Sequence, residues 1–451
     1  MSSASPPRPV AADSGPVADR PDSATPDSRP VLDDPAQPVL DWWQVMLETN
    51  PVHRDEQSAW HVFRHADVSQ VLADPATFSS DTSALLPDQE DLRLFSRGNI
   101  VNMDPPHHRQ VRTLVNQAFT PRVVAGLEPR IVEVTTALLD RVRGRQAFDL
   151  VDALAYPLPV TVIAELLGVP ARDMALFRSW ADGLFSVQAT DATVLPTEEQ
   201  TAEVAPVVRE MNDYLLQHIR HRRTHPADDL LGRLTTAGVP DRGRDAARPA
   251  GDGLTDAARP TGDGFSDSGL TEAGLTDEEI VGLAGVLLLA GHITTTALLG
   301  NAVLAFDRHP AAGAEVRADR SLVPDAIEEV LRWRTPFPRL GRMTTRDAEL
   351  AGAVIPARSI VVPWVGAANH DPRRFPDPER FDIHRSTQGQ LAFGHGIHFC
   401  LGAPLARLEA RVALNLLMDR YSTLAVDRAH VRYQNPWIMN SMLSLPVQVS
   451  S

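Results

Sequence analysis

The stretch Phe393-Gly394-His395-Gly396-Ile397-His398-Phe399-Cys400-Leu401-Gly402 decides the reading of this chain. It holds the one cysteine in the sequence, with glycines at 394, 396 and 402. Glycine permits close backbone approach and positive φ. The backbone is therefore expected to curl around Cys400 and aim amide N–H groups at its sulfur. The run Pro404-Leu405-Ala406-Arg407-Leu408-Glu409-Ala410 reads as a helix that starts just after. A thiol near a helix N-terminus feels a dipole that favours the anion, which lowers its pKa. The pattern predicts a nest for a thiolate. A lone cysteine also reads, more plainly, as a small buried hydrophobe.

The same ten residues fit Phe-x-x-Gly-x-(His/Arg)-x-Cys-x-Gly, with Phe393, Gly396, His398, Cys400 and Gly402 at every fixed position. In this the chain resembles the cytochrome P450 superfamily. The resemblance implies a haem b cofactor (iron protoporphyrin IX). Cys400 is then its axial thiolate and metal ligand, and Phe393, Gly394, His398 and Gly402 lie around it. Such a ligand pushes electron density onto iron and favours O–O cleavage. The implied fold is mainly α with small β-sheets and a long central helix over the haem.

Composition agrees with an enzyme of this kind. The 451 residues leave room for one large domain, and 43% hydrophobic content supplies its core. A net charge of −15 argues against nucleic acid as partner. One cysteine excludes an intramolecular disulfide and suits a reducing cytoplasm. Met1-Ser2-Ser3-Ala4-Ser5-Pro6 has neither a basic nor an apolar region, so no secretory signal or membrane anchor is expected. All 43 basic residues are arginine.

Residues 1–38 are rich in Pro, Ser, Asp and Ala and read as a disordered tail before a domain over 39–451. His61-Val62-Phe63 reads as a short strand, with a helix over the next residues. In Met103-Asp104-Pro105-Pro106-His107-His108-Arg109-Gln110-Val111-Arg112, Asp104 suits an N-cap and Pro105 a first helical turn. His108 and Arg112 then share one helical face, which reads either as a solvated polar face or, by the resemblance, as a pair for a haem propionate. Residues 127–235 read as successive amphipathic helices. Tyr156 to Pro170 contains one that ends at Gly168 and Pro170. Residues 238–274 are rich in Gly and Pro and repeat Asp-Ala-Ala-Arg-Pro at 245 and 256, so they read as a disordered surface insertion.

Thr276-Asp277-Glu278-Glu279 forms a capping box. No charge follows from Ile280 to Phe306. Such a run is long enough to span a membrane, but His292, three threonines and Asn301 interrupt it, and no basic cluster flanks it. It reads instead as a helix crossing a large core, roughly 40 Å long. Within it, Ala290-Gly291-His292-Ile293-Thr294-Thr295 resembles the family's oxygen-binding motif, (Ala/Gly)-Gly-x-(Asp/Glu)-Thr. The resemblance gives Ala290, Gly291 and Thr294 catalytic places, with Gly291 bringing the helix close to the haem. Thr294 is expected to hydrogen-bond the helix backbone and assist proton delivery. Ile293 stands where the family usually has an acid.

Glu329 and Arg332 form a Glu-x-x-Arg pair, and the resemblance joins them to Arg380 in a buried structural triad. Arg342 matches a further propionate position. Thr335 to Leu340, Trp437 to Met442 and residues 81–101 are expected to line the pocket. The family further implies a monomer that takes electrons from ferredoxin and an NAD(P)H-dependent ferredoxin reductase. The resemblance implies a small apolar substrate, as for the polyketide- and macrolide-tailoring members. A peroxide-using or dehydrating haem-thiolate enzyme, and a haem sensor or carrier without turnover, are the alternatives.

Overall fold

The computed structural model describes residues 35–82, 89–186, 198–236 and 274–450. The expected tail and insertion fall almost wholly outside the described residues. The folded part begins earlier than residue 39: helix Gln37–Thr49 opens beside Ala36, which is already buried.

The architecture is helical around one long element. Helix Asp277–Arg308 runs unbroken for 32 residues from the expected capping box at Thr276 and Glu279. It packs against Glu90–Gly98, Pro157–Leu167 and Glu198–Thr224. It is the one helix among the described residues long and apolar enough to cross a membrane, and 67% of its most apolar window is buried within the protein. Burial of most of its surface explains its lack of a charged face.

Glycine sets how closely its neighbours approach. A Cβ on Gly98 would lie 1.9 Å from the Glu279 carbonyl oxygen, and one on Gly282 would lie 2.4 Å from that of Phe95. Helix Glu90–Gly98 therefore crosses the central helix backbone against backbone. Arg97 pairs with Glu278 there, and Arg209 on helix Glu198–Thr224 holds Asp91 at 2.7 Å.

The second layer is helix Ala403–Arg420, packed on Glu128–Arg141 and Val323–Trp333. A five-stranded sheet flanks the bundle in the order Val52–Arg54, Trp60–Val62, Ile360–Pro363, Arg342–Thr344, Phe78–Ser79. The second and third of these strands run parallel, and the remaining neighbours are antiparallel. This sheet brings Ser79 and Arg342 to one edge of the core, though 263 residues separate them in sequence (342 − 79).

Candidate active site

Cys400 follows a tight helical turn, Gly396–His398. Gly394 and Gly396 have φ of 73° and 72°, as expected. A Cβ on Gly396 would sit 2.5 Å from the Leu72 carbonyl oxygen. The Cys400 amide donates to the Phe393 carbonyl at 2.8 Å, closing the loop. The amides of Gly402 and Ala403, at the start of helix Ala403–Arg420, donate to the sulfur. Arg407 lies 4.4 Å from the centre of the Phe393 ring. One expectation is corrected: burial pushes the thiol above its ordinary range, outweighing the pull of those amides and of Arg112 and Arg407. Desolvation of the anion exceeds the helix-terminus effect here. Iron bound there would expel the proton regardless.

Beside the thiol lies a group of donors. His108 is buried on helix His107–Asn116, and its Nε2 has no partner. Its ring centre is 4.4 Å from that of His398. Arg112, on the same helix, donates to the Phe399 carbonyl at 2.6 Å and to Asn116 at 3.2 Å. Arg342 is buried at the start of the strand next to the sheet's edge strand and donates to the neighbouring Gly341 carbonyl at 2.7 Å. Burial lowers its pKa to about 10, with Asp104 opposing. Burial, then Arg342, His108 and Arg112, hold His398 neutral with a pKa of about 3. The ring of His398 bonds Ser80 Oγ at 2.9 Å through Nε2, and the Met103 carbonyl.

Asp104 does not cap the helix. Its carboxylate accepts from the Ser79 hydroxyl and from the Ser80 amide at 3.0 Å, and the helix starts at His107. Ser79 and Ser80 carried no sequence signal, because two serines before a loop match no motif. The resulting cluster has two arginines and an orphaned imidazole nitrogen, and no carboxylate bridges either arginine among the described residues. Buried cations and donors of this kind call for an anion. The two propionates of a haem fit that need.

The central helix presents one less buried stripe: Val286, Leu287, Ala290, Gly291, Ile293 and Thr294. These positions recur at one-turn spacing and share a face. Thr294 Oγ1 donates to the Ala290 carbonyl at 2.8 Å, as expected. Gly291 faces a neighbouring helix. A Cβ there would meet Ile163 at 2.7 Å, so its bare Cα makes room for helix Pro157–Leu167. His292 points away from the stripe and is fully buried, edge-on to Tyr156 at 5.5 Å. Its Nδ1 must be the protonated nitrogen, because it bonds the Leu288 carbonyl at 2.7 Å and a carbonyl only accepts. Burial lowers its pKa to about 4. Ile293 packs against the main core.

The buried triad is also revised. Glu329 and Arg332 are fully buried and paired at 2.7 Å. The third member is Arg385, 3.4 Å from Glu329. The Arg380 side chain is 71% exposed and lies 3.8 Å from Asp382, and only its carbonyl reaches Arg332. A buried carboxylate needs a buried partner, and Arg385 alone of the two is positioned to be one.

Known proteins share this fold. The family profile described as Cytochrome P450 matches residues 52–450. The erythromycin C-12 hydroxylase of Saccharopolyspora erythraea is 44% identical over 400 residues, covering 88% of this chain and 90% of that protein. The cyclomarin C epoxidase of Salinispora arenicola is 42% identical over 393 residues, covering 87% and 91%. A solved mutant of P450 EryK in complex with erythromycin B superposes with a TM-score of 0.79 at 42% identity, covering 92% of this chain and 96% of that one. Members of this family bind haem, act on small substrates and draw electrons from redox partners. A cysteine loop, a cluster of donors for an anion, a helix carrying Thr294 and a family match over nearly the whole domain lead to one conclusion: the chain belongs to the cytochrome P450 family and is a haem-thiolate monooxygenase.

Proposed function

We propose that this enzyme hydroxylates or epoxidises a polyketide- or macrolide-type secondary metabolite in the cytoplasm, with electrons from a ferredoxin and its reductase. The names of the relatives support the substrate class, since they include an erythromycin hydroxylase and a cyclomarin epoxidase. The observation that carries the site assignment is the donor cluster. His108, Arg112 and Arg342 would hold the propionates, with His398 packed against them, and Cys400 would ligate iron.

When bound, the haem supplies activation of O2 by two electrons and two protons, one oxygen atom entering the substrate and the other leaving as water. The residues of the chain orient and gate that chemistry. The Gly402 and Ala403 amides hold the Cys400 sulfur and temper its negative charge. The Thr294 hydroxyl spends its proton on the Ala290 carbonyl and keeps lone pairs to accept from water. Thr294 can thus order water on the less buried stripe. His292 lies off that stripe, and Ile293 holds no proton. Water ordered by Thr294 and a hydroxyl on the substrate therefore carry protons in this reading.

The electron donor is expected on the Cys400 side, where Arg112 and the exposed Phe399 lie together, with Arg407 nearby and paired to Glu328. Acidic ferredoxins would be steered there, and turnover should weaken with salt. Two measurements test the reading. The reduced carbon monoxide complex should show the red-shifted thiolate band, and a macrolide panel should yield a spin-state shift and a product one oxygen atom heavier. A normal band with no turnover on any panel member under ferredoxin supply, but turnover with peroxide, would favour the peroxide-using alternative.

A further inference from the structure

Asn301 lies on the central helix seven residues past Thr294, hence two turns along the same face. It is fully buried. Its Nδ2 donates to the Asn440 carbonyl at 2.8 Å and to the Arg334 carbonyl at 3.3 Å. Its Oδ1 accepts from Arg334 Nε at 3.2 Å. Both donors and the acceptor are thus engaged by two other parts of the chain.

Those partners lead onward. Asn440 Nδ2 donates to the Thr335 carbonyl at 2.9 Å, and its amide donates to the Pro336 carbonyl at 2.8 Å. The Thr335 hydroxyl accepts from Asn369 Nδ2 at 2.9 Å. Asn369 Oδ1 accepts from the Leu391 amide at 2.7 Å, and the Leu391 carbonyl accepts from Gly394 in the cysteine loop at 2.9 Å. One chain of buried polar groups therefore joins the helix of Thr294 to the loop of Cys400. It passes through Thr335, where the strap Thr335-Pro336-Phe337-Pro338-Arg339-Leu340-Gly341 begins.

We propose that Asn301 is a positioning residue for the oxidation: through Asn440 and Thr335 it sets where this strap lies relative to Thr294, and so shapes the space open to a bulky ligand. The inference rests on the monooxygenase reading. The strap leaves the amide chain at Thr335 and reaches the propionate-cluster residue Arg342 within seven residues, so it must border the site. Two prolines stiffen it. Its middle is pinned where the Pro338 carbonyl accepts from Gly366 at 2.9 Å and the Leu340 amide donates to Pro363 at 3.0 Å. A stiff, pinned strap transmits a displacement at its first residue instead of absorbing it. An apolar residue at 301 would fill the volume but fix no direction, whereas a fully bonded buried amide fixes both.

The test uses ferric holoenzyme. Asn301→Asp keeps the shape but turns an acceptor on the two carbonyls, and Asn301→Ser removes the reach. Leu304→Ala, a buried site on the same helix outside the amide chain, is the control for lost stability. Imidazole and 4-phenylimidazole are titrated and read by the Soret shift. In the Asn301 variants the reduced carbon monoxide complex should keep its thiolate band. Imidazole affinity should stay within about twofold, while 4-phenylimidazole affinity should change by about tenfold. Hydrogen exchange at the Asn440 and Gly366 amides should accelerate. Leu304→Ala should leave the ratio of the two affinities unchanged. An unchanged ratio in both Asn301 variants overturns the proposal, as does the same change in Leu304→Ala, or loss of haem from both Asn301 variants. A wild-type protein without the thiolate band would instead overturn the monooxygenase reading.

Discussion

The cysteine loop and the central helix are opposite kinds of structure. In the loop, residue type follows from backbone shape. Gly394 and Gly396 adopt positive φ, and a side chain at 396 would strike the Leu72 carbonyl. In the helix, the backbone is regular for 32 residues and calls for no positive φ, so glycine is demanded only where a neighbour crosses closely, as at Gly282. There, function depends on direction: Thr294 lies on the less buried stripe, while His292, two residues earlier, is sealed against Tyr156. Geometry that constrains the backbone leaves a mark in sequence. Geometry that depends on which way a side chain faces leaves little, because neighbouring elements decide it.

The contrast can be broken most severely at the loop. Cys400→Ser should still admit some haem, because the donor cluster remains, but the thiolate band and turnover should vanish. A variant that keeps both would overturn the ligand assignment. Gly396→Val combines a positive φ with a collision at 2.5 Å, so a loss of about 3 kcal/mol or more is expected, measured by urea denaturation. A mild effect would show that the loop tolerates another backbone path.

The buried triad offers a matched pair of similar size. Arg385→Ala leaves Glu329 short of a partner and should destabilise by about 3 kcal/mol, whereas Arg380→Ala should leave Tm almost unchanged. The reverse order would restore Arg380 to the triad.

On the central helix the effects are subtler. Thr294→Ala should divert electrons to peroxide and lower product per NAD(P)H severalfold, and His292→Ala should alter that ratio little. Full coupling in the first, or collapse in the second, would sink the water-and-Thr294 route. The last effect concerns pH. His292 has a folded pKa of about 4 against an ordinary 6.5, so the unfolded chain takes up the proton first as pH falls. Stability is therefore lost between those two values, by up to about 3 kcal/mol. His292→Gln should flatten this acid limb in a denaturation series, and an unchanged limb would mean that His292 is protonated without unfolding.

The sequence made much of the fold legible. The capping box at Thr276, the Gly168 helix stop and the uncharged run of the central helix all appear as read. Cys400, His108, Arg112, Arg342 and His398 come together from distant parts of the chain. What escaped the reading depends on tertiary packing. Arg380 and Arg385 are five residues apart in one loop, and only the path of that loop decides which is buried. Asp104 looks like a cap until the sheet brings Ser79 and Ser80 to its carboxylate. The amides of Asn301, Asn369 and Asn440 belong to no local pattern, because their partners are up to 139 residues away.

The backbone-on-backbone crossing of Gly98 and Gly282 carries a lesson for redesign. Any side chain there would have to push two helices apart, since the nearest carbonyl atoms lie within 2.4 Å of the new carbon. These positions are closed to directed evolution of substrate range. Diversity is better sought one turn along, at Leu94, Val286 and Leu287, where side chains are only partly buried and a library can change contour without moving the scaffold.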